Sequence, residues 1–403
     1  MFRKEDLTGA DIGIEFCGQR LQSPFILTSG PLCYGAEGLI RGHRAGCGAV
    51  VTKTIRLAAA VNPIHHMGTV NGDSLINCEK WSDYDRLRWY EEEIPRAAAA
   101  GAVVIGSVGH TLEEARAIAA DVEAAGARML ELVSYTEDTL LPMLDYVKSH
   151  VSIPVICKLS GNWPDPVATA RRCLEHGADG LCAIDSIGPV LKIDIRRARP
   201  EMESANGFGW LTGGAMRPIA LRINAQIAQN NPKFRNLYAS GGCMKPEDAV
   251  EYLMAGAMGV GVCTAAILHG VEYVEKLCAG LSALLAELGY RSVEEAYRAA
   301  LPNFPREETA GGLDFSFTPF QADGTKHCIS CRRCERVCCY GARTLDFPEM
   351  RLDRDRCRSC GLCTDVCPTG ALTASPLPRT PEERERTPAA FAGESTAEGE
   401  TLC

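Results

Sequence analysis

Between residues 24 and 264, short apolar runs alternate with longer stretches of mixed polarity. The runs are PFILTS (24–29), AVVTK (49–53), AVVIGSV (102–108), MLELV (129–133), PVICKL (154–159), GLCAI (180–184), NLYAS (236–240) and MGVGV (258–262). Short apolar stretches of this kind read as strands covered on both faces. The segments between them carry helix signals. In TLEEARAIAADVEAAG, Thr111 stands at an N-cap position and Glu114, three residues on, completes a capping box. In KPEDAVEYLMAG, Pro246 falls in the first turn and Gly256 where a helix would stop. Eight strands, each followed by a crossover, in about 250 residues predict an α/β fold of the (β/α)8 TIM barrel type, closed by the helical pattern at 271–289. A doubly wound open sheet is the alternative, but no G-x-G-x-x-G follows the first strand to support it.

Composition narrows the class without changing the fold. The chain has 403 residues, 46% hydrophobic and 23% charged, with a net charge of -9, values of a globular protein with a core. That charge argues against nucleic acid or an anionic membrane as partner. The N-terminus has no apolar stretch after its charges, and the most apolar run, 97–109, is too short to span a bilayer. A cytoplasmic location is therefore expected. Of twenty cysteines, nine fall between Cys328 and Cys367, which in a reducing cytosol points to metal binding rather than disulfides.

Those cysteines form two runs, CISCRRCERVC and CRSCGLCTDVC, both spaced C-x2-C-x2-C-x3-C, with eighteen residues between them. In two-cluster ferredoxins the first three cysteines of each run hold one cubane and the fourth reaches the other. Cys328, Cys331, Cys334 and Cys367 are thus expected to bind one [4Fe-4S] cluster, and Cys357, Cys360, Cys363 and Cys338 a second. Structural zinc is the alternative. Cys339, where such runs usually have proline, is expected to pack rather than ligate. The chain then divides into a barrel (1–300), a linker arm (301–325), a two-[4Fe-4S] ferredoxin-like domain (326–372) and a disordered tail rich in Pro, Glu and Ser (373–403).

In a barrel of this kind chemistry sits at the carboxyl ends of the strands, with phosphate held after strands seven and eight. Those segments here are SGGC, with Gly241 and Gly242, and GVCTA, with Cys263 and Thr264. Glycines allow backbone N–H groups to approach an anion closely, so a phosphorylated cofactor is expected; tight turns alone are the alternative. Together with TSG (28–30), TKT (52–54), KLSGN (158–162), AIDS (183–186) and GG (213–214), these strand ends resemble the dihydroorotate dehydrogenase family of FMN barrels. LINCEKWSDYD, after the second strand, looks like the dihydropyrimidine dehydrogenase branch, which also carries a two-cluster segment behind the barrel. The resemblance spans roughly residues 10–370. It implies that Ser29, Gly30, Lys53 and Thr54 line FMN, that Lys158 lies near its N1 and O2 edge, and that Gly213, Gly214, Gly241, Gly242, Cys263 and Thr264 hold its phosphate. It also implies electron exchange between the clusters and FMN, with hydride chemistry at a C–C or C–N bond of a small, pyrimidine-like heterocycle. A ferredoxin or an NAD(P)H-oxidising flavoprotein subunit is the implied electron partner, and a homodimer the implied assembly.

The sequence departs from that family at two strand ends. Where the fourth strand usually ends in an N-L-S-C-P-like segment bearing the proton donor, it reads LELVSYTED, with Val133 at the asparagine position and no cysteine. Hydride addition to a double bond still needs a proton. Tyr135 and Glu137 are the nearest candidates, with Ser134 behind them, and His65, His66 and His110 lie in loops that could reach the pocket. After the sixth strand, where the family has Asn-Thr, Asp185 and Ser186 stand. An ionised carboxylate only accepts hydrogen bonds, so a substrate richer in N–H donors or positive charge than uracil is expected. The missing acid leaves a rival open, an electron-transfer subunit with a catalytically altered barrel, and a third possibility is a barrel binding another phosphate ligand with the cysteine module serving assembly.

Overall fold

Each of the eight apolar runs forms a strand in the computed structural model, which describes residues 9–308 and 311–376. They are β1 (Phe25–Leu27), β2 (Ala49–Val51), β3 (Val104–Gly109), β4 (Met129–Val133), β5 (Val155–Leu159), β6 (Gly180–Ala183), β7 (Leu237–Ala239) and β8 (Gly259–Val262). Every residue of all eight is buried. Consecutive strands pair in parallel, and β8 returns to β1 through Gly261 beside Ile26, so the sheet closes into a barrel. Burial on both faces, by side chains filling the interior and helices outside, is what made the runs continuously apolar.

The helix signals hold, with one instructive change. Leu112–Ala124 is capped by the Thr111 hydroxyl, which accepts from Glu114 N at 3.2 Å. The Glu114 carboxylate does not complete the box on Thr111 N–H; it accepts from the His110 amide and pairs with Arg56 at 2.6 Å. A charged guanidinium is the stronger partner, and the result ties the end of β3 to the loop after β2.

One element had not been expected. The connections after β2 and β6 together build an antiparallel sheet in the order Ile187–Val190, Gly209–Gly213, Ser74–Asn77, Met67–Val70. Trp210 lies opposite Asn77 and Thr212 opposite Leu75. The sheet contributes walls to the cavity described below.

The chain divides into two compact units between Phe304 and Pro305. In the second, Arg343–Asp346 pairs with Glu349–Leu352, and Leu313–Phe317 with Leu372–Pro376. The segment read as a linker arm therefore supplies a strand to the small unit. Its alternation of partly covered and exposed residues puts Phe315 and Phe317 against Cys334, Cys363 and Leu372, apolar cover that a core this small needs. Of the expected tail, Thr373–Pro376 belongs to this strand pair and the remainder lies outside the described residues. No described helix is long and apolar enough to cross a membrane.

Candidate functional site: a barrel-mouth cavity and two cysteine quartets

A cavity of about 350 Å3 opens at the carboxyl ends of the barrel strands, and all eight strand ends contribute to it. Its wall contains Ser29, Gly30, Lys53, Thr54, Ser134, Tyr135, Lys158, Asp185, Ser186, Gly213, Gly241, Gly242, Cys263 and Thr264. Its size suits a cofactor or a small ligand.

Two expected residues do not line it. The Gly214 amide donates to Asp73 O at 3.0 Å, and a Cβ at Gly214 would come within 2.2 Å of the Asp73 carboxylate; this glycine packs against a hairpin rather than a ligand. Glu137 opens the helix Glu137–Lys148 and accepts from the Thr169 hydroxyl and the Arg172 guanidinium. The bond from Arg172 holds its pKa below the usual carboxylate value, so it is a poor proton donor as well as a distant one. His65 and His66 are likewise absent from the wall, whereas His110 is part of it.

Lys158, at the end of β5, is almost fully buried between two carboxylates, with Asp185 at 3.5 Å and Glu131 at 3.9 Å. Burial alone would lower its pKa, but Asp185 and then Glu131 outweigh it, and the ammonium stays charged. Glu131 was not singled out from sequence because a carboxylate inside MLELV has no pattern of its own. It is wholly buried and accepts from the Tyr238 hydroxyl through one oxygen, while the other has no hydrogen-bond partner. Asp185 is thus not the free acceptor its position suggested, since Lys158 offsets its charge. Lys53 is similarly paired, with Glu79 at 2.5 Å.

Elsewhere in the wall, after β7, the amides of Gly241, Gly242 and Cys243 find no acceptor among the described residues. Gly241 and Gly242 have φ of 127° and 81°, a backbone region glycine enters freely. Three neighbouring amides without acceptors suit an anion such as a phosphate.

Three of the four tryptophans, Trp81, Trp163 and Trp210, also face the cavity. The indole N–H groups of Trp81 and Trp163 are spent on Ala58 O (2.8 Å) and Tyr135 O (3.0 Å), so both offer ring surface rather than donors. Asn162 is used up in the same way, accepting from Gly188 N and donating to Ser186 O. The Tyr135 ring stacks on His110, centroids 4.2 Å apart and planes 5° from parallel. Burial, with Arg56 nearby, lowers the His110 pKa to about 4, and its Nδ1 is buried without a partner. Ser134 is bonded to the Thr139 hydroxyl.

In the second unit, two small hollows are each ringed by four cysteines. One is lined by Cys328, Cys331, Cys334 and Cys367, the other by Cys338, Cys357, Cys360 and Cys363. These are the interlocked sets expected from spacing. Each run turns through two residues at positive φ, Ser330 and Arg332 in one, Ser359 and Gly361 in the other, a conformation that converges successive amides on one point. Burial would raise the Cys338 and Cys367 thiols, yet backbone N–H groups, led by those of Ala342 and Leu372, outweigh it and favour thiolate. No three such side chains among the described residues close on a single ion. A cubane, with its irons at separate corners, asks for wider-set sulfurs around a hollow than tetrahedral zinc does.

A barrel with three unclaimed amides and a buried lysine at its mouth, followed by paired cysteine quartets, has the make-up of an iron–sulfur oxidoreductase of the flavin-barrel class. The dihydroorotate dehydrogenase family model matches residues 99–285, and that of the 4Fe-4S dicluster domain matches 327–371. The chain is 33% identical over 302 residues to the catalytic subunit of dihydroorotate dehydrogenase B (NAD(+)) from Methanothermobacter thermautotrophicus, covering 69% of this chain and 95% of the relative. It is 28% identical over 406 residues to the NAD-dependent dihydropyrimidine dehydrogenase subunit PreA of Escherichia coli K12, covering 90% and 95%. The chain belongs to the dihydroorotate dehydrogenase family and is an oxidoreductase of the kind that acts on CH–CH bonds.

Proposed function

We propose that the cavity seats FMN, that the two quartets hold [4Fe-4S] clusters, and that the chain reduces or oxidises a carbon–carbon or carbon–nitrogen bond in a small, planar, pyrimidine-like heterocycle. The observation that carries this reading is Lys158, a buried ammonium kept charged in the same cavity as three unclaimed amides. The donor set fits the cofactor. Amides of Gly241, Gly242 and Cys243 suit a phosphate, the Ser29 hydroxyl can donate to its polar tail while those of Thr54 and Thr264, held by Ser107 and Thr212, can accept from it, and Lys158 suits the edge that is electron-rich when reduced. FMN, when bound, supplies hydride transfer and the exchange of one or two electrons.

The chain's own residues then have definable tasks. Lys158 fixes positive charge where water is excluded. Asp185, partly neutralised by it, accepts from a substrate N–H, and Asn77 and Ser186 add polar contacts from the same wall. Tyr135 is the donor of the proton that accompanies hydride. Its phenol carries a proton at neutral pH, as any tyrosine does, the side chain is open to the cavity, and the His110 face fixes its ring plane. The indole faces cover a flat ring. The relatives are named as subunits and as NAD-dependent, so a nicotinamide-oxidising flavoprotein subunit or a ferredoxin belongs to this reading as electron partner.

The test is anaerobic purification, mass spectrometry of the released cofactor, then photoreduction of the holoprotein and a screen of uracil, thymine, orotate and related unsaturated rings for flavin reoxidation. FMN should be released, and at least one ring should reoxidise it. Lys158→Met should slow that step about 100-fold or more, as losing a fixed charge at a reaction centre does. Release of a redox-inert phosphate compound would sink the reading.

A further inference from the structure

We propose that the rim of the hollow formed by Cys328, Cys331, Cys334 and Cys367 is the port through which electrons enter or leave, and that it receives a small acidic electron-carrier protein. The proposal rests on reading the quartets as clusters. It begins from a charge inversion. The chain carries a net charge of -9, yet between Lys326 and Pro376 nine Lys and Arg stand against six Asp and Glu. The excess is concentrated beside the cysteines.

Arg332 and Arg333 line that hollow together with Ile329, and Arg336 follows within the same short helix, Arg333–Arg336. All three arginines are exposed, and Ile329 is 58% exposed. Arg333 has no acidic partner among the described residues. Arg332 pairs only with Glu335, at 3.1 Å, and Arg336 donates to the Cys331 carbonyl at 2.8 Å. The second hollow is framed differently. Its exposed apolar residues are Tyr340 and Leu362, and of its two arginines Arg343 is buried over the Phe315 ring, which leaves Arg358, bonded to Asp355 O, as its one exposed cation. The first rim thus sets its exposed apolar residue among three exposed arginines that share one acidic partner, whereas the second offers a single exposed arginine.

That combination is what a transient redox partner needs. Such interfaces are small, are steered by complementary charge, and touch through a limited apolar patch. Cationic side chains around the hollow select an acidic partner, and Ile329, lining the hollow and open to solvent, gives it a dry point of contact close to the sulfurs. Arginines that merely balanced thiolate charge would need no exposed apolar neighbour.

The experiment uses the full-length holoprotein in stopped flow. Cluster and flavin reduction are followed with two reductants, a pre-reduced acidic plant-type [2Fe-2S] ferredoxin and the small uncharged 5-deazariboflavin, illuminated with EDTA as the electron source. With ferredoxin, the second-order rate constant should fall about 10-fold or more between low salt and roughly 0.5 M salt. The double charge reversal R332E/R333E should lower the low-salt rate about 10- to 100-fold, while R358E changes it less than about 3-fold. All three proteins should respond alike to 5-deazariboflavin. A salt-independent rate, a double variant that matches the parent, a larger loss with R358E, or a shifted cluster potential with unchanged salt dependence would each overturn the port. Failure of 5-deazariboflavin to reduce any centre in the parent would instead sink the cluster and flavin reading, and the port with it.

Discussion

His110 shows how one side chain records its surroundings in a measurable way. Packed against Tyr135 and Trp81, and faced by Arg56, Glu114, Lys158 and Asp185, it has its pKa lowered to about 4, first by burial and then by Arg56. An exposed imidazole takes up a proton near 6.5. Between those values the unfolded chain binds a proton that the folded chain refuses, so stability is fully present above about 6.5 and falls as the pH drops through the window. The loss should be about 2 kcal/mol by pH 5. His110→Phe, which keeps a ring for Tyr135 to stack on, should flatten that decline in denaturant titrations at pH 7 and pH 5; an equally steep decline would refute it. At this scale the sequence was legible wherever a residue type at a strand end has one strong use. Lys158 and the glycines of SGGC were placed at the cavity wall that way. Glu131 was hidden because its role depends on two neighbours from other strands, Lys158 and Tyr238, and Glu137 misled because its partner Arg172 lies on another helix.

Among the elements, the loop after β7 leaves little room for change. Gly242 holds φ at 81°, and a Cβ there would come within 2.4 Å of the Gly213 carbonyl oxygen. Backbone cannot yield as a flexible side chain can, so Gly242→Ala should cost about 2 kcal/mol or more and should reduce bound flavin. Melting temperature and flavin-to-protein ratio check both, and full occupancy with unchanged melting would refute the proposed seat. The barrel strands were readable because burial on both faces leaves an unbroken apolar run. The antiparallel sheet over the mouth was not, since its strands are short and pair across a long separation, Asn77 with Trp210. One local signal was present. Asn71 and Gly72, both at positive φ, turn Val70 back onto Ser74, and Asn-Gly between β-prone segments is a hairpin signature.

For the molecule as a whole, the interlocking of the two cysteine runs makes a sharp prediction. Cys328 and Cys367 line one hollow although thirty-eight residues separate them, and Cys357 lines the other. Each single substitution to serine should remove about half of the iron; Cys328→Ser with Cys367→Ser should remove no more, and Cys328→Ser with Cys357→Ser nearly all. Iron analysis with electron paramagnetic resonance decides it, and equal losses in the two doubles would break the assignment. This pairing was legible because ligand spacing is rigid. The role of residues 301–325 was not, because Leu313–Phe317 gains its meaning only from a partner strand near residue 374. A final consequence lies in the Thr264 hydroxyl, which donates to Thr212 at 3.0 Å and so fastens the sheet over the mouth to the turn that follows β8. Lineages that remodel the canopy to admit a new guest molecule without loosening the berth beneath it would have to keep that fastening and vary the side chains around it.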